Sequence, residues 1–305
     1  MSRVISMCEE LRRQAIEHLF QMSSFRKSWD AQWQKDISCL LSGSKNNGQG
    51  LIDLGDHLSN VFLTTKGEGR NGGGSSGQAS LSAGGAGWEG LVTWYLNLGL
   101  AGSRAVAIKS SKKLVPAPFY ESIRVTYGTH GTNTESDILV LVFPEQEQVD
   151  LPDIDDANTL ATHLATHEFS KCSLGVVQCK TNWNDNAQIP MLWDMLYSAD
   201  TFRNNKISVG TTSYNIKSLN NFTYSFVTVP TSRGAFKANS TPVLRVNNLS
   251  GGNYWGKPSK QSVAFSLKEI FNNNFGESCK SFLENANKTM DNLDSQYAYF
   301  KLNVD

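Results

Sequence analysis

The residue types that could do chemistry together lie between Glu135 and Asp194. Asp137 opens the apolar run Ile138–Phe143, and about 40 residues later a second apolar run, Gly175–Lys180, ends in Gln178-Cys179-Lys180. Strands alternate faces, so Gln178 and Lys180 point one way and Cys179 the other. If the two strands are neighbours, Asp137, Gln178 and Lys180 converge at one edge. A carboxylate and a lysine at adjacent strand ends suit metal-dependent hydrolysis of a phosphodiester. The carboxylate holds Mg2+ against a phosphate oxygen, and the lysine orients or deprotonates the attacking water. The same residues have plainer uses: an acid at a strand mouth is ordinary turn chemistry, and a terminal lysine is an ordinary edge charge. His163 and His167, four apart, would share a helix face. Without a third ligand nearby in sequence they read as a solvated surface rather than a metal site.

The elements that would position these groups follow from hydrophobic spacing. Val4, Cys8, Leu11, Ala15, Leu19 and Met22 recur at helical intervals, as do Trp29, Trp33, Ile37, Leu40 and Leu41; a third, short helix fits Leu51–Phe62. Between positions 67 and 90 lie ten of the chain's 25 glycines, a density that predicts a flexible loop, either a linker or a segment that orders on a ligand. A helix fits Leu91–Leu98. Strand-like runs follow at Ala105–Lys109, Ser122–Tyr127, Ile138–Phe143 and Leu174–Cys179, then a helix near Ile189–Ser198 and strands at Ile207–Thr212 and Phe222–Val229. The acidic stretch Gln146–Asp156 reads as a solvated loop and helix start, positions 239–260 as loop-rich, and the tail from Val263 to Phe300 as helical. The expectation is an α/β (α+β) fold: a central mixed sheet of about five strands flanked by helices, with helical N- and C-terminal parts. The divisions are a helical part over 1–66, a Gly-rich loop over 67–90, a core over 84–235, and a loop with C-terminal helices over 236–305, all packed as one domain.

Composition removes several classes. Lys+Arg and Asp+Glu are both 28 in 305 residues, so the chain is no polycation, although local charge rather than the sum decides nucleic-acid binding. No apolar run approaches a membrane span, and the charged start Met1–Gln14 lacks the apolar stretch of a secretory leader. Five cysteines without framework spacing support neither a disulfide scaffold nor a thiolate zinc site. The four Asn-x-Ser/Thr matches at Asn221, Asn239, Asn248 and Asn287 then read as chance, and a cytoplasmic location is expected. Neither a dinucleotide-binding nor a P-loop glycine pattern is present, and neither GxSxG nor HExxH occurs.

On Asp137 and Lys180 the chain resembles the PD-(D/E)xK nucleases, and within them the type II restriction endonucleases. Gln178 stands where the family's second strand usually carries an acid. One branch, whose members cut CCGG-containing and CCNGG sites, takes that acid from the following helix, 13 or 14 residues past the lysine; here that position is Asp194 in Met191-Leu-Trp-Asp-Met-Leu196. The branch also carries a glutamate in an upstream helix, matched by Glu89 in Gly87-Trp-Glu-Gly-Leu91. The resemblance covers roughly 84–198 and implies catalytic roles for Glu89, Asp137, Lys180 and Asp194. It implies Mg2+ held by Asp137 and Asp194 with the Cys179 carbonyl, and a homodimer or higher homo-oligomer acting on double-stranded DNA. Each acid keeps an alternative: Glu89 as a first-turn acid stabilised by a helix dipole, Asp194 on a solvated helix face.

In that branch, Arg-acid-Arg just after the lysine reads guanines in the major groove. Asn184-Asp185-Asn186 stands there instead. Asparagine pairs bidentately with adenine as arginine does with guanine, so the expected site contains A·T pairs, with Asn182 and Gln188 as further readers and Trp183 packed beneath; an Asn-rich turn would also link strand to helix. Arg104, Lys109, Lys112 and Lys113, with Arg124 on the next strand, form a basic stripe suited to phosphates, or a solvated turn. The function expected is cleavage of a short palindrome, leaving 5′-phosphate and 3′-hydroxyl ends. The alternatives are a repair or nicking nuclease of the same fold, or a non-catalytic binding protein.

Overall fold

The computed structural model describes residues 2–43, 47–65, 77–109, 113–132, 136–181, 207–229, 237, 239–249, 253–256 and 266–302, and within these the side chains of 47, 77–84, 207, 249 and 256 are left aside. The predicted class is the observed one: a five-stranded mixed sheet flanked by helices, with helical N- and C-terminal parts.

The N-terminal stripe forms α1 (Arg3–Gln21), N-capped by Ser2, whose hydroxyl accepts from the Ile5 amide. A run from α2 (Ser23–Ser28) passes through a π turn (Trp29–Trp33) into α3 (Gln34–Ser42), and α4 (Asn47–Thr64) follows. The chain then enters α5 (Gly77–Leu100), β1 (Ala105–Lys109), α6 (Ala117–Ile123), β2 (Val125–Tyr127), β3 (His130–Thr132) and β4 (Ile138–Val142). Next come α7 (Ala157–His167), β5 (Ser173–Lys180), β6 (Ile207–Val209), β7 (Asn221–Thr228), α8 (Thr241–Leu249), β8 (Tyr254–Gly256), α9 (Ile270–Phe275) and α10 (Phe282–Asp291).

The main sheet runs β1-β4-β5-β7-β8. β4 is antiparallel to both β1 and β5, with Lys109 opposite Ile138 and Ile138 opposite Val177; β7 is parallel to β5, with Lys180 opposite Thr228. Hence the last residues of β1, β5 and β7 and the first of β4 share one end of the sheet. A smaller sheet, β3-β2-β6, stands apart, its two-residue hairpin turned by Gly128 at φ +62°. Strand alternation divides the core. Ala105, Ala107, Ile138, Val140, Val177 and Cys179 face α5 and a Trp- and Phe-rich layer; Val106, Ile108, Leu139, Leu141, Leu174 and Val176 face α1, α6 and α7.

β1 is an edge strand, and the outward backbone groups of Ala105 and Ala107 are occupied. The buried Asn97 amide of α5 donates to the Ala107 carbonyl at 2.6 Å and accepts from the Ala107 amide at 3.0 Å. The fully buried Arg12 guanidinium, paired with Glu9, donates to the carbonyls of Leu100 and Ala105. Such capping closes the edge to other strands and fixes β1 on α5.

Several expectations change. The Gly-rich loop over 67–90 is helix from Gly77 onward, and 66–76 lie outside the described residues. Glycine is unfavourable in a helix by about 1 kcal/mol per residue in isolation, but tertiary packing outweighs that here. A Cβ on Gly90 would stand 2.7 Å from the Phe25 ring, and one on Gly87 would stand 3.6 Å from Phe62 and Trp33. Gly90 therefore lets α5 approach Phe25, whereas a Cβ at Gly87 would make an ordinary contact. Leu51–Phe62 belongs to the 18-residue α4, longer than the short helix expected. Ser122 and Ile123 end α6 rather than begin a strand, because Pro116 starts a helix whose Phe119 and Ile123 are buried. The loop-rich 239–260 contains α8 and β8. Two expectations, the helix at Ile189–Ser198 and the stretch Asn182–Gln188, lie outside the described residues.

Candidate functional site

The sheet end that gathers the termini of β1, β4, β5 and β7 carries the candidate groups. Asp137 precedes β4, one residue beyond the Ile138–Val177 pair, so its side chain can turn across the strand end. Its Oδ2 accepts from the Cys179 amide at 2.7 Å. Amide and carbonyl of one strand residue project toward the same neighbour. The Cys179 carbonyl therefore lies on Asp137's side, past the last paired residue of β4. The Lys180 carbonyl faces the opposite side and accepts from the Val229 amide at 3.0 Å, which anchors this end of β5 to β7.

Glu89 reaches the same end from α5. Its Oε2 lies 2.9 Å from Lys109 Nζ, and both side chains are about one-fifth exposed, 21% and 20%. Trp88, the preceding residue, is buried, and its indole N–H donates to the Val227 carbonyl of β7 at 3.3 Å, fixing the helix turn over the strand ends.

These groups feel one another. The Asp137 carboxyl is pushed up to about 6, first by burial and then by the negative charge of Glu89; the Cys179 amide, Lys180 and Lys109 pull it back. Burial and the Asp137 and Glu89 charges push the Cys179 thiol well up, so it is no nucleophile at neutral pH. Gln178 is buried, with the Tyr224 hydroxyl 3.5 Å from its Oε1. Burial, then Asp137, pushes the Tyr224 phenol up to about 12.

The arrangement therefore brings together Asp137, Glu89, Lys109, Lys180 and the Cys179 backbone. It leaves Arg104 elsewhere. Arg104 precedes β1 at the far end of the sheet, about 17 Å along the strand from Lys109. There its guanidinium donates to the Phe143 and Glu277 carbonyls and lies 3.5 Å from Glu145. The basic stripe from 104 to 113 is thus divided: Arg104 ties the sheet to the C-terminal part, Lys109 enters the site, and Lys112 lies outside the described residues. Arg124 lies 3.6 Å from Glu121. Asp194 and the proposed base readers Asn182, Asn184, Asp185, Asn186 and Gln188 also lie outside the described residues. His163 and His167 adjoin on α7 with ring centroids 4.4 Å apart and planes tilted by 42°. Two contributors escaped sequence reasoning, Tyr224 beside Gln178 and the pairing of Lys109 with Glu89. Both depend on strand order and register, which no local spacing encodes.

Mg2+ favours six oxygen ligands and commonly takes one or two from carboxylates, with water completing the shell. Asp137, Glu89 and the Cys179 carbonyl are donors of that kind, and the mutual repulsion of the two carboxylates is what a cation would relieve. Among the described residues no three His, Cys, Asp or Glu side chains form a group that could hold a metal. Asp137 and Glu89 thus fit part of a hydrated shell rather than a closed all-protein cage. Nor, among the described residues, is any helix long and apolar enough to cross a membrane. No protein-family model matches the chain, and no curated protein matches its sequence.

Proposed function

We propose that this chain is a Mg2+-dependent endonuclease of double-stranded DNA, of the type II restriction class, working as a homodimer or larger homo-oligomer on a short palindrome that contains A·T pairs. One observation carries the reading. Asp137, at the mouth of β4, is hydrogen-bonded to the backbone of β5 one residue before Lys180, and the charge of Glu89 presses on the same carboxyl.

Asp137, Asp194 and the Cys179 carbonyl would hold the ion, with Glu89 at its edge. Bound Mg2+ supplies charge neutralisation at a phosphate oxygen and a more acidic water. Lys180, on the end of β5 that Val229 anchors, directs its ammonium at the attacking water and the phosphate. Water oxygen bonds to phosphorus, giving up a proton to solvent, as the P–O3′ bond breaks, leaving a 5′-phosphate and a 3′-hydroxyl that takes its proton from solvent. Gln178, a neutral amide engaged with Tyr224, keeps to the flank. Cutting both strands of a palindrome requires two such sites related by a twofold axis, hence the oligomer. Polar Asn184-Asp185-Asn186, directly after the site, supports adenine readout.

The test is incubation with long DNA and Mg2+, then sequencing of product ends. Discrete ends at one palindrome with A·T pairs are expected. Lys180→Ala should lower cutting at least about 100-fold, whereas Gln178→Ala should retain it. Nicking or smearing of a supercoiled plasmid would move the assignment to a repair or nicking nuclease. Absence of Mg2+-dependent cutting would leave a binding protein.

A further inference from the structure

We propose that Lys109 is an internal counter-ion that a divalent cation must displace from Glu89, so that cation loading frees an ammonium at the mouth of the site. The inference deepens the nuclease reading and rests on it.

The ion pair sits on rigid supports. Lys109 is the last residue of β1 and pairs in register with Ile138, the neighbour of Asp137. Two residues earlier, Asn97 grips both backbone groups of Ala107. Glu89 lies two turns before Asn97 on the same helix, so α5 fixes the carboxylate and the strand end together. With each side chain about one-fifth exposed, the pair is neither a loose surface contact nor sealed from exchange. Lys109 therefore satisfies a carboxylate that would otherwise face Asp137 uncompensated.

Charge counting over the described residues gives the consequence. Glu89 and Asp137 bring two negative charges, Lys109 and Lys180 two positive, so these four groups together are neutral when ionised. A divalent cation drawn to both carboxylates competes with Lys109 at Glu89, and the four groups with the cation then carry a net charge of about +2, before the charge of Asp194 is counted. That charge is matched by phosphodiester groups. The displaced ammonium, tethered to the strand end, is placed to receive one. Cation and DNA should consequently strengthen each other's binding, as any shared displaced contact requires.

The experiment titrates Mg2+ into DNA-free protein by isothermal calorimetry, using the wild-type chain, Lys109→Met, Lys109→Arg and Glu89→Gln. Breaking a partly exposed ion pair opposes the cation by roughly two- to fivefold in affinity. Lys109→Met should accordingly bind Mg2+ about two- to fivefold more tightly than wild type, Lys109→Arg should restore wild-type affinity, and Glu89→Gln should bind more weakly. Circular dichroism of each variant identifies any that fails to fold; should Lys109→Met be one, Lys109→Gln takes its place with the same expected gain in affinity. Unchanged or weaker binding by a folded Lys109→Met, with wild type binding normally, overturns the exchange and leaves the nuclease reading intact. Wild-type protein that neither binds Mg2+ nor cuts DNA overturns both.

Discussion

Replacing Asp137 by Asn should stabilise the metal-free protein while abolishing its chemistry. The carboxyl is pushed from 3.8 up to about 6, by burial first and by Glu89 second. A folded-state value above the unfolded one means that the folded chain holds this proton more tightly. Wild-type stability therefore falls as pH rises from about 4 to about 6, and above that the full penalty of the ionised group remains. The displacement is about two pH units at about 1.4 kcal/mol each, an upper bound near 3 kcal/mol; partial solvent access lowers it to about 1–3 kcal/mol. Asn keeps an oxygen that can accept from the Cys179 amide, so the hydrogen bond survives and the repulsion does not. Urea unfolding in EDTA should show Asp137→Asn more stable by about 1–3 kcal/mol at pH 8, with the gap closing near pH 4. Added Mg2+ should raise the wild-type midpoint by mass action and leave the variant nearly unmoved. A variant equal to or less stable than wild type at pH 8 would refute the claim that burial and Glu89 strain this carboxylate.

Two further outcomes test how the frame holds the site. Gly90→Ala gains up to about 1 kcal/mol of helix propensity, yet its methyl would meet the buried Phe25 ring at 2.7 Å; overpacking should win, for a net loss of about 1–2 kcal/mol in denaturant unfolding, and a gain would show that the ring yields freely. Asn97→Leu leaves the amide and carbonyl of Ala107 unpaired, so it should cost about 2–4 kcal/mol and speed hydrogen exchange at the Ala107 amide. Unchanged exchange there would mean that another group caps the edge.

The parts of the fold that were legible in the sequence are those set by local pattern. Ala105–Lys109 reads as a strand and is one, because its apolar residues serve two faces at once and need no helical periodicity. α1 reads as a helix because its stripe from Val4 to Leu19 is clean. What misled was glycine in α5: propensity is a property of an isolated helix, whereas Gly90 is required by the ring of Phe25, which is distant in sequence. α6 was hidden for a related reason, since Pro116 forbids a continuing strand but permits a helix start.

The candidate site was legible as residue types and opaque as a constellation. The meeting of Asp137 with Lys180 followed from sequence only on the condition that their strands are neighbours, and β4 does pair with β5. Lys109 carried no such marker. Read in sequence it belongs with Arg104 as one positive stripe, yet Arg104 lies just before the five-residue strand β1 and Lys109 is that strand's last residue. Arg104 is bound by carbonyls, and Lys109 is paired with an acid some 20 residues upstream on α5. A strand converts nearness in sequence into separation at about 3.3 Å per residue, while a helix packed along it brings distant residues to its end. Charge of one sign clustered in sequence is thus a weak guide to a binding surface. Opposite charges carried to a common sheet end by two rigid elements are a stronger one, because the fold must hold them there against their own desolvation.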